Sequence, residues 1–98
     1  MSAQTRVRVA VAGCGYWGPN LIRNFADHPE SDLVIACDAK PERLASIRRR
    51  YPACTCTTDF DEALSHPLVE AVALATPVSS HFRLARRALE AGKHVLVE

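Results

Sequence analysis

From Arg6 the chain alternates and then turns apolar throughout, Arg6-Val7-Arg8-Val9-Ala10-Val11-Ala12, the pattern of a strand that becomes buried on both faces. Gly13 ends it. From Trp17 to about Asp27 the spacing changes to a helical one, with Leu21, Ile22 and Phe25 on one stripe. Pro19 is tolerated there because first-turn amides have no intrahelical partner, and His28-Pro29 closes the helix. Asp32–Cys37 predicts a second buried strand. Pro41 then opens a helix to about Arg50, with Leu44 and Ile47 inward and Arg48, Arg49 and Arg50 at its negative end. Cys54-Thr55-Cys56 is a short third strand at best. Asp59 reads as the N-cap of a helix carrying Phe60, Ala63 and Leu64. Val69–Ala75 predicts a fourth strand, broken by Thr76-Pro77. A long helix follows whose apolar side is Phe82, Leu84, Ala85, Ala88 and Leu89, with Gly92 as its stop and His94–Glu98 as a fifth strand.

Strands alternating with helices at this spacing imply right-handed crossovers, and so an α/β fold: a parallel sheet of about five strands in the order 3-2-1-4-5, covered by helices on both faces. At 98 residues, 48% hydrophobic and 23% charged, the chain has room for one small packed domain, and disorder and coiled coil are poor readings. A net charge of +1 offers no field to hold a polyanion, so nucleic acid is not an expected partner, and Arg48-Arg49-Arg50 reads as a solvated helix end. No apolar run reaches signal-peptide or membrane-spanning length, and the cytoplasm is the expected location. Cys14, Cys37, Cys54 and Cys56 form no Cys-x-x-Cys pair, so reduced thiols are expected and no disulfide framework. Cys14 and Cys37 read as buried free thiols near any ligand. Cys54 and Cys56 share a strand face, and His28, His66 and His94 are scattered, so no metal site is expected.

Gly13-Cys14-Gly15-Tyr16-Trp17-Gly18 matches G-x-G-x-x-G between a predicted strand and a predicted helix. Gly13 permits the tight turn, Gly15 lets a pyrophosphate approach the backbone, and Gly18 lets helix pack on strand. The helix start adds unpaired amides and a positive dipole end. Asp38, at the end of the second strand, stands where an acid accepts hydrogen bonds from both adenosine ribose hydroxyls, which favours NAD over NADP although Lys40 and Arg43 offset part of the repulsion. Thr76-Pro77 falls beside the topological switch point. Ser79 or Ser80 reads as an N-cap, and His81 as either a surface helix residue or a ligand contact. Trp17 reads as packing against the loop or an adjacent chain.

The stretch Val9–Asn20, with Cys37-Asp38, Pro41-Glu42-Arg43, Ala75-Thr76-Pro77, His81 and Ala91–Glu98, resembles the N-terminal half of the glucose-fructose oxidoreductase/inositol dehydrogenase (Gfo/Idh/MocA) family. Tyr16-Trp17-Gly18-Pro19-Asn20 further looks like members acting on nucleotide-linked amino sugars. The resemblance implies a three-layer Rossmann fold with NAD as cofactor, and carries the pyrophosphate role to Gly13, Gly15 and Gly18, with Tyr16 and Trp17 in the same loop. It carries the ribose role to Asp38 and places Thr76, Pro77 and His81 near the nicotinamide. Glu98 matches the first residue of the family's Glu-Lys-Pro motif, whose Glu contacts the nicotinamide side and whose Lys takes part in proton transfer at the substrate hydroxyl. On this resemblance, residues 1–98 are a dinucleotide-binding domain cut short at the last strand, without the substrate and oligomerisation domain. The sugar would bind only in a complete relative, and the chain alone would be inactive or nearly so. Self-association is expected, since an unprotected strand edge invites pairing. Two other readings fit parts of the pattern: a non-catalytic NAD(H)-binding sensor module, and an S-adenosylmethionine-dependent methyltransferase, against which the three-glycine spacing and the Thr-Pro turn both argue.

Overall fold

In the computed structural model, which describes residues 6–98, five parallel strands form one sheet in the order β3-β2-β1-β4-β5. They are β1 (Val7–Ala12), β2 (Ser31–Cys37), β3 (Thr55–Thr57), β4 (Ala71–Leu74) and β5 (His94–Val97). The N-terminal stretch read as lacking a signal-peptide core lies mostly outside the described residues. Side chains alternate across a strand, so β1 feeds two cores. Val9 and Val11 pack with Ile22 of α1 (Gly18–Asp27) and Ile47 of α2 (Ala45–Arg50). Ala10 and Ala12 pack on the other face with Ala63 of α3 (Phe60–Ser65) and with Leu84 and Ala88 of α4 (Val78–Glu90). Helices therefore cover both faces, as alternation requires. The β1–β2 register jumps from Val9↔Leu33 to Ala10↔Ile35, a bulge that skips Val34. Val34 and Ile35 consequently both serve the α3–α4 core.

Several boundaries differ from the sequence reading for local reasons. The segment from Pro41 is a 3₁₀ turn (Pro41–Leu44) before it becomes α2, since Lys40 supplies no side-chain cap and the first turn tightens instead. β3 is Thr55–Thr57 rather than Cys54–Cys56, because only these residues meet Ile35–Cys37 while the Cys54 amide is drawn into a turn with the Tyr51 carbonyl. β4 is shorter than Val69–Ala75, as the Val69 amide donates to the His66 carbonyl. Neither Ser79 nor Ser80 caps α4: Pro77 holds that position and both serines lie inside the helix. Phe82 and Leu89 face outward, 78% and 62% exposed, because the inward stripe is set by Leu84 and Ala88 and neither lies on it. Asp59 does cap α3, its carboxylate accepting from the Asp61 amide.

α4 ends in a Schellman motif: the Gly92 amide donates to the Leu89 carbonyl and the Lys93 amide to the Ala88 carbonyl, both at 3.0 Å. Lys93 then donates through Nζ to the Val69 carbonyl at 2.7 Å and the His66 carbonyl at 3.3 Å, tying the α4–β5 turn to the approach of β4. No helix is long and apolar enough to cross a membrane among the described residues. Gly92 has φ +80 and a Cβ there would touch nothing within 4 Å. Gly92→Ala is therefore expected to cost about 1–2 kcal/mol from backbone strain alone, read as a lower urea midpoint with an unchanged slope.

Candidate functional site

The C-terminal ends of all five strands point to one edge of the sheet, and the turn leaving β1 is built into it from three sides. The Gly13 amide donates to the Cys37 carbonyl at 2.8 Å, and Gly13 adopts φ +97 with its Cα pressed against β4, where a Cβ would lie 2.7 Å from the Ala75 carbonyl carbon. Gly18 begins α1 directly on top of Gly13: a Cβ at Gly18 would come within 1.7 Å of the Gly13 carbonyl oxygen. Gly15 differs, since a Cβ there would meet only the flexible end of Arg43. Two of the three glycines thus close the turn, while the third leaves its backbone open. Among the described residues, none accepts a hydrogen bond from the Gly15, Tyr16 or Trp17 amides. Trp17 is the N-cap of α1 and offers no side-chain cap, so the positive end of a ten-residue helix stays unsatisfied at the same place.

Asp38 holds this loop in position. Its carboxyl group is buried at 6% exposure, with Oδ2 accepting from the Cys14 amide at 2.7 Å and Oδ1 from the Lys40 amide at 2.8 Å. A carboxylate has about four acceptor positions, so two amides leave capacity for a hydroxyl on the exposed side. Arg43 Nη1 lies 3.7 Å from Oδ2. Across the sheet, Ser80 Oγ is 2.9 Å from Thr76 Oγ1 and 2.8 Å from the Pro77 carbonyl. Ser80 has one proton, and the carbonyl can only accept it, so the Thr76 hydroxyl is the donor to Ser80. His81 Nε2 lies 2.7 Å from the Thr76 carbonyl, which fixes Nε2 as a donor and leaves Nδ1 as the free face of the ring.

These residues border one open cleft of about 790 Å³, within the range of small-molecule sites. It brings together Gly13, Gly15, Tyr16, Trp17, Asp38, Thr76, Pro77, His81 and Glu98; Gly18 lies beneath it as packing. Tyr16 is 94% exposed and Trp17 is half-exposed at the rim of the cleft. A second groove of about 480 Å³ runs between Phe25 and Leu96 at the opposite ends of the strands, away from the open amides. Two features of the cleft are more specific than the sequence reading. Arg43 lies over Gly15 rather than beside Asp38 alone, and Ser80 belongs to the Thr76 turn. A signal for Arg43 exists in its place one turn beyond Asp38, behind Pro41.

An extended dinucleotide fits these observations: open amides at a helix start suit a pyrophosphate, and a fixed carboxyl group one strand away suits a ribose. Among the described residues no three His, Cys, Asp or Glu side chains converge on a metal position. Burial, and secondarily the Asp38 carboxyl group beside it, pushes the Cys14 thiol up to about 12. Burial likewise raises Cys37 to about 11 and Cys54 to about 12. The cysteines under the loop are packing groups rather than nucleophiles at neutral pH.

The model of an oxidoreductase family with an NAD-binding Rossmann fold matches residues 7–98. A 4-carboxy-2-hydroxymuconate-6-semialdehyde dehydrogenase of a Sphingobium species is 35% identical over 92 residues, covering 94% of this chain and 29% of that protein. Scyllo-inositol dehydrogenase from Lactobacillus casei, solved with NAD(H) and scyllo-inositol, superimposes with a TM-score of 0.87 at 26% identity over 95% of this chain and 28% of that one. GenD2 from gentamicin A biosynthesis, solved with NAD, gives 0.90 at 31% identity over 99% of this chain and 28% of that one. The chain spans less than a third of the length of these relatives.

Gly18→Ala must push α1 off Gly13 and is expected to destabilise by about 1–3 kcal/mol, whereas Gly15→Ala displaces only a side chain and should leave the unfolding free energy, read by urea denaturation, within about 1 kcal/mol of the parent. The buried thiols set an alkaline limit: above their ordinary 9.0 the unfolded chain loses protons that the folded one keeps until about 11–12, so stability present below pH 9 is lost as pH rises through that window. Thermal melts from neutral pH upward should show a flat Tm and then a fall beginning near pH 9, shallower in Cys54→Ala. With residues 7–98 matched, the sheet order as expected and the cleft built around open amides, the chain belongs to the Gfo/Idh/MocA oxidoreductases as their NAD-binding Rossmann domain.

Proposed function

We propose that this chain is the cofactor-binding part of an oxidoreductase that moves hydride between a sugar or polyol C–OH carbon and nicotinamide. The observation that carries this reading is the set of open amides at Gly15, Tyr16 and Trp17 beside the fixed Asp38 carboxyl group. The loop amides hold the pyrophosphate, and Asp38 accepts from the ribose hydroxyls. Thr76, Pro77 and His81 border the path toward the nicotinamide, with His81 turned so that Nδ1 is its available acceptor. Glu98 follows β5 at the mouth of the cleft and meets the nicotinamide side. Bound NAD would supply the hydride acceptor. The sugar or polyol class is supported by the inositol dehydrogenase likeness, and the Tyr16–Asn20 stretch favours a nucleotide-linked sugar.

Hydride transfer also needs a group that takes the hydroxyl proton and a floor that orients the substrate. On the family resemblance a Lys and a second domain supply these, and the described residues supply the cofactor platform. Four free cysteines suit a reducing cytoplasm. β5 is an edge strand with Leu96 and Val97 half-exposed, which supports self-association.

Titration calorimetry is expected to show binding of NAD and none of S-adenosylmethionine, with NAD binding lost in Gly15→Val while circular dichroism stays unchanged. Binding of S-adenosylmethionine alone, or NAD binding indifferent to Gly15→Val, would sink the reading. Sedimentation at rising concentration should show dimers or larger species, and a strict monomer throughout would refute the self-association.

A further inference from the structure

Cys54 and Cys56 bring two thiols together at the β3 edge of the sheet. Cys54 is 8% exposed in the turn before β3, and its Sγ lies 3.4 Å from the Thr55 carbonyl, reaching forward along the chain. Cys56 stands two residues on, so its side chain returns to the same face. Both pack in the core that holds Leu44, Ile47 and Tyr51, and the two sulfurs are in hydrogen-bonding contact. Cys56 is half-buried on an edge strand, so solvent reaches the pair from its side. Neither residue borders the dinucleotide cleft.

The surroundings decide which ligand suits the two thiols. Among the described residues no third His, Cys, Asp or Glu converges on them, which excludes the closed four-ligand site of structural zinc. Leu44 and Ile47 present carbon where magnesium, calcium or manganese would need oxygen donors. Thiolate sulfur is soft and selects Cu(I). Two thiolates around a monovalent ion carry one net negative charge, and Arg48 of α2 is near enough to Cys56 to favour its anion.

We propose that Cys54 and Cys56 form a two-thiolate site for Cu(I) at the β3 edge of the sheet, on the face covered by α2. Two S–H bonds are replaced by two S–Cu bonds, the copper stays Cu(I), and both protons pass to solvent. The site is independent of the dinucleotide reading and departs from the expectation of no metal that the Cys-x-Cys spacing alone carries.

The test is anaerobic titration of the reduced protein with Cu(I) in competition with bicinchoninate, followed by copper K-edge absorption. One Cu(I) per chain with two sulfur neighbours is expected. Cys56→Ser and Cys54→Ser, each checked for folding by circular dichroism, should weaken binding about a hundredfold or more, because losing a ligand costs at least as much as losing a ligand's support. Cys56→Met, which keeps a soft sulfur, should recover part of the loss. Cys14→Ala should leave binding unchanged. Either serine variant that folds decides the pair. Undiminished binding in it, binding lost in Cys14→Ala, one Cu(I) bridging two chains, or no Cu(I) held against the chelator would each overturn the proposal. NAD titrated into Cys56→Ser should bind as in the parent, so a failed copper site leaves the cofactor reading standing.

Discussion

The pair of hydrogen bonds from the Cys14 and Lys40 amides to Asp38 is the contact on which the site depends. One carboxyl group, set at the end of β2, fastens the loop leaving β1 and also starts the turn leading to Pro41–Leu44. Burial makes both bonds matter, because an amide deprived of its acceptor in a dry position costs about 1–3 kcal/mol. A side chain that reads as a ligand contact is thus first a structural clamp, and its remaining acceptor capacity is what a ribose can use.

The glycine loop divides its labour in the same way. Gly13 and Gly18 let three backbone segments meet where a Cβ would collide with Ala75 or with the loop itself, and they build the platform. Gly15 keeps the platform bare. Because α1 begins directly on that platform without a side-chain cap, its electrostatic end faces the cleft instead of being spent within the protein. Across the sheet, Ser80 and His81 bind back onto Thr76 and Pro77, so the opposite wall is held by its own hydrogen bonds and meets a ligand already ordered.

The sheet order and both helical layers could be read from the sequence, since runs such as Val9–Ala12 and Ile35–Cys37 are apolar on both faces and the helices between them have one apolar stripe. The glycine spacing could be read as well, since Gly13 and Gly18 answer a steric demand within the fold that few other residues can meet and Gly15 keeps the loop open. What the sequence did not reveal depends on competition between local partners. Ser80 looks like a cap and instead serves the Thr76 hydroxyl, Phe82 and Leu89 are apolar yet fall off the stripe set by Leu84 and Ala88, and the Val34 bulge has no sequence mark at all. Arg43 reads in the sequence as a cation near Asp38, and only the three-dimensional path of the Pro41–Leu44 turn lays it over Gly15.

The strand order also governs how the domain can be made. β1 sits at the centre of the sheet, with β2 on one flank and β4 on the other, yet Ala71–Leu74 follows it only after β2, α2, β3 and α3 have been synthesised. A nascent chain leaving the ribosome can therefore assemble β1, β2 and β3 while the other side of its middle strand has no partner. Such an open apolar flank is a hazard for slow, long-range sheets, and it persists until β4 is available to cover it.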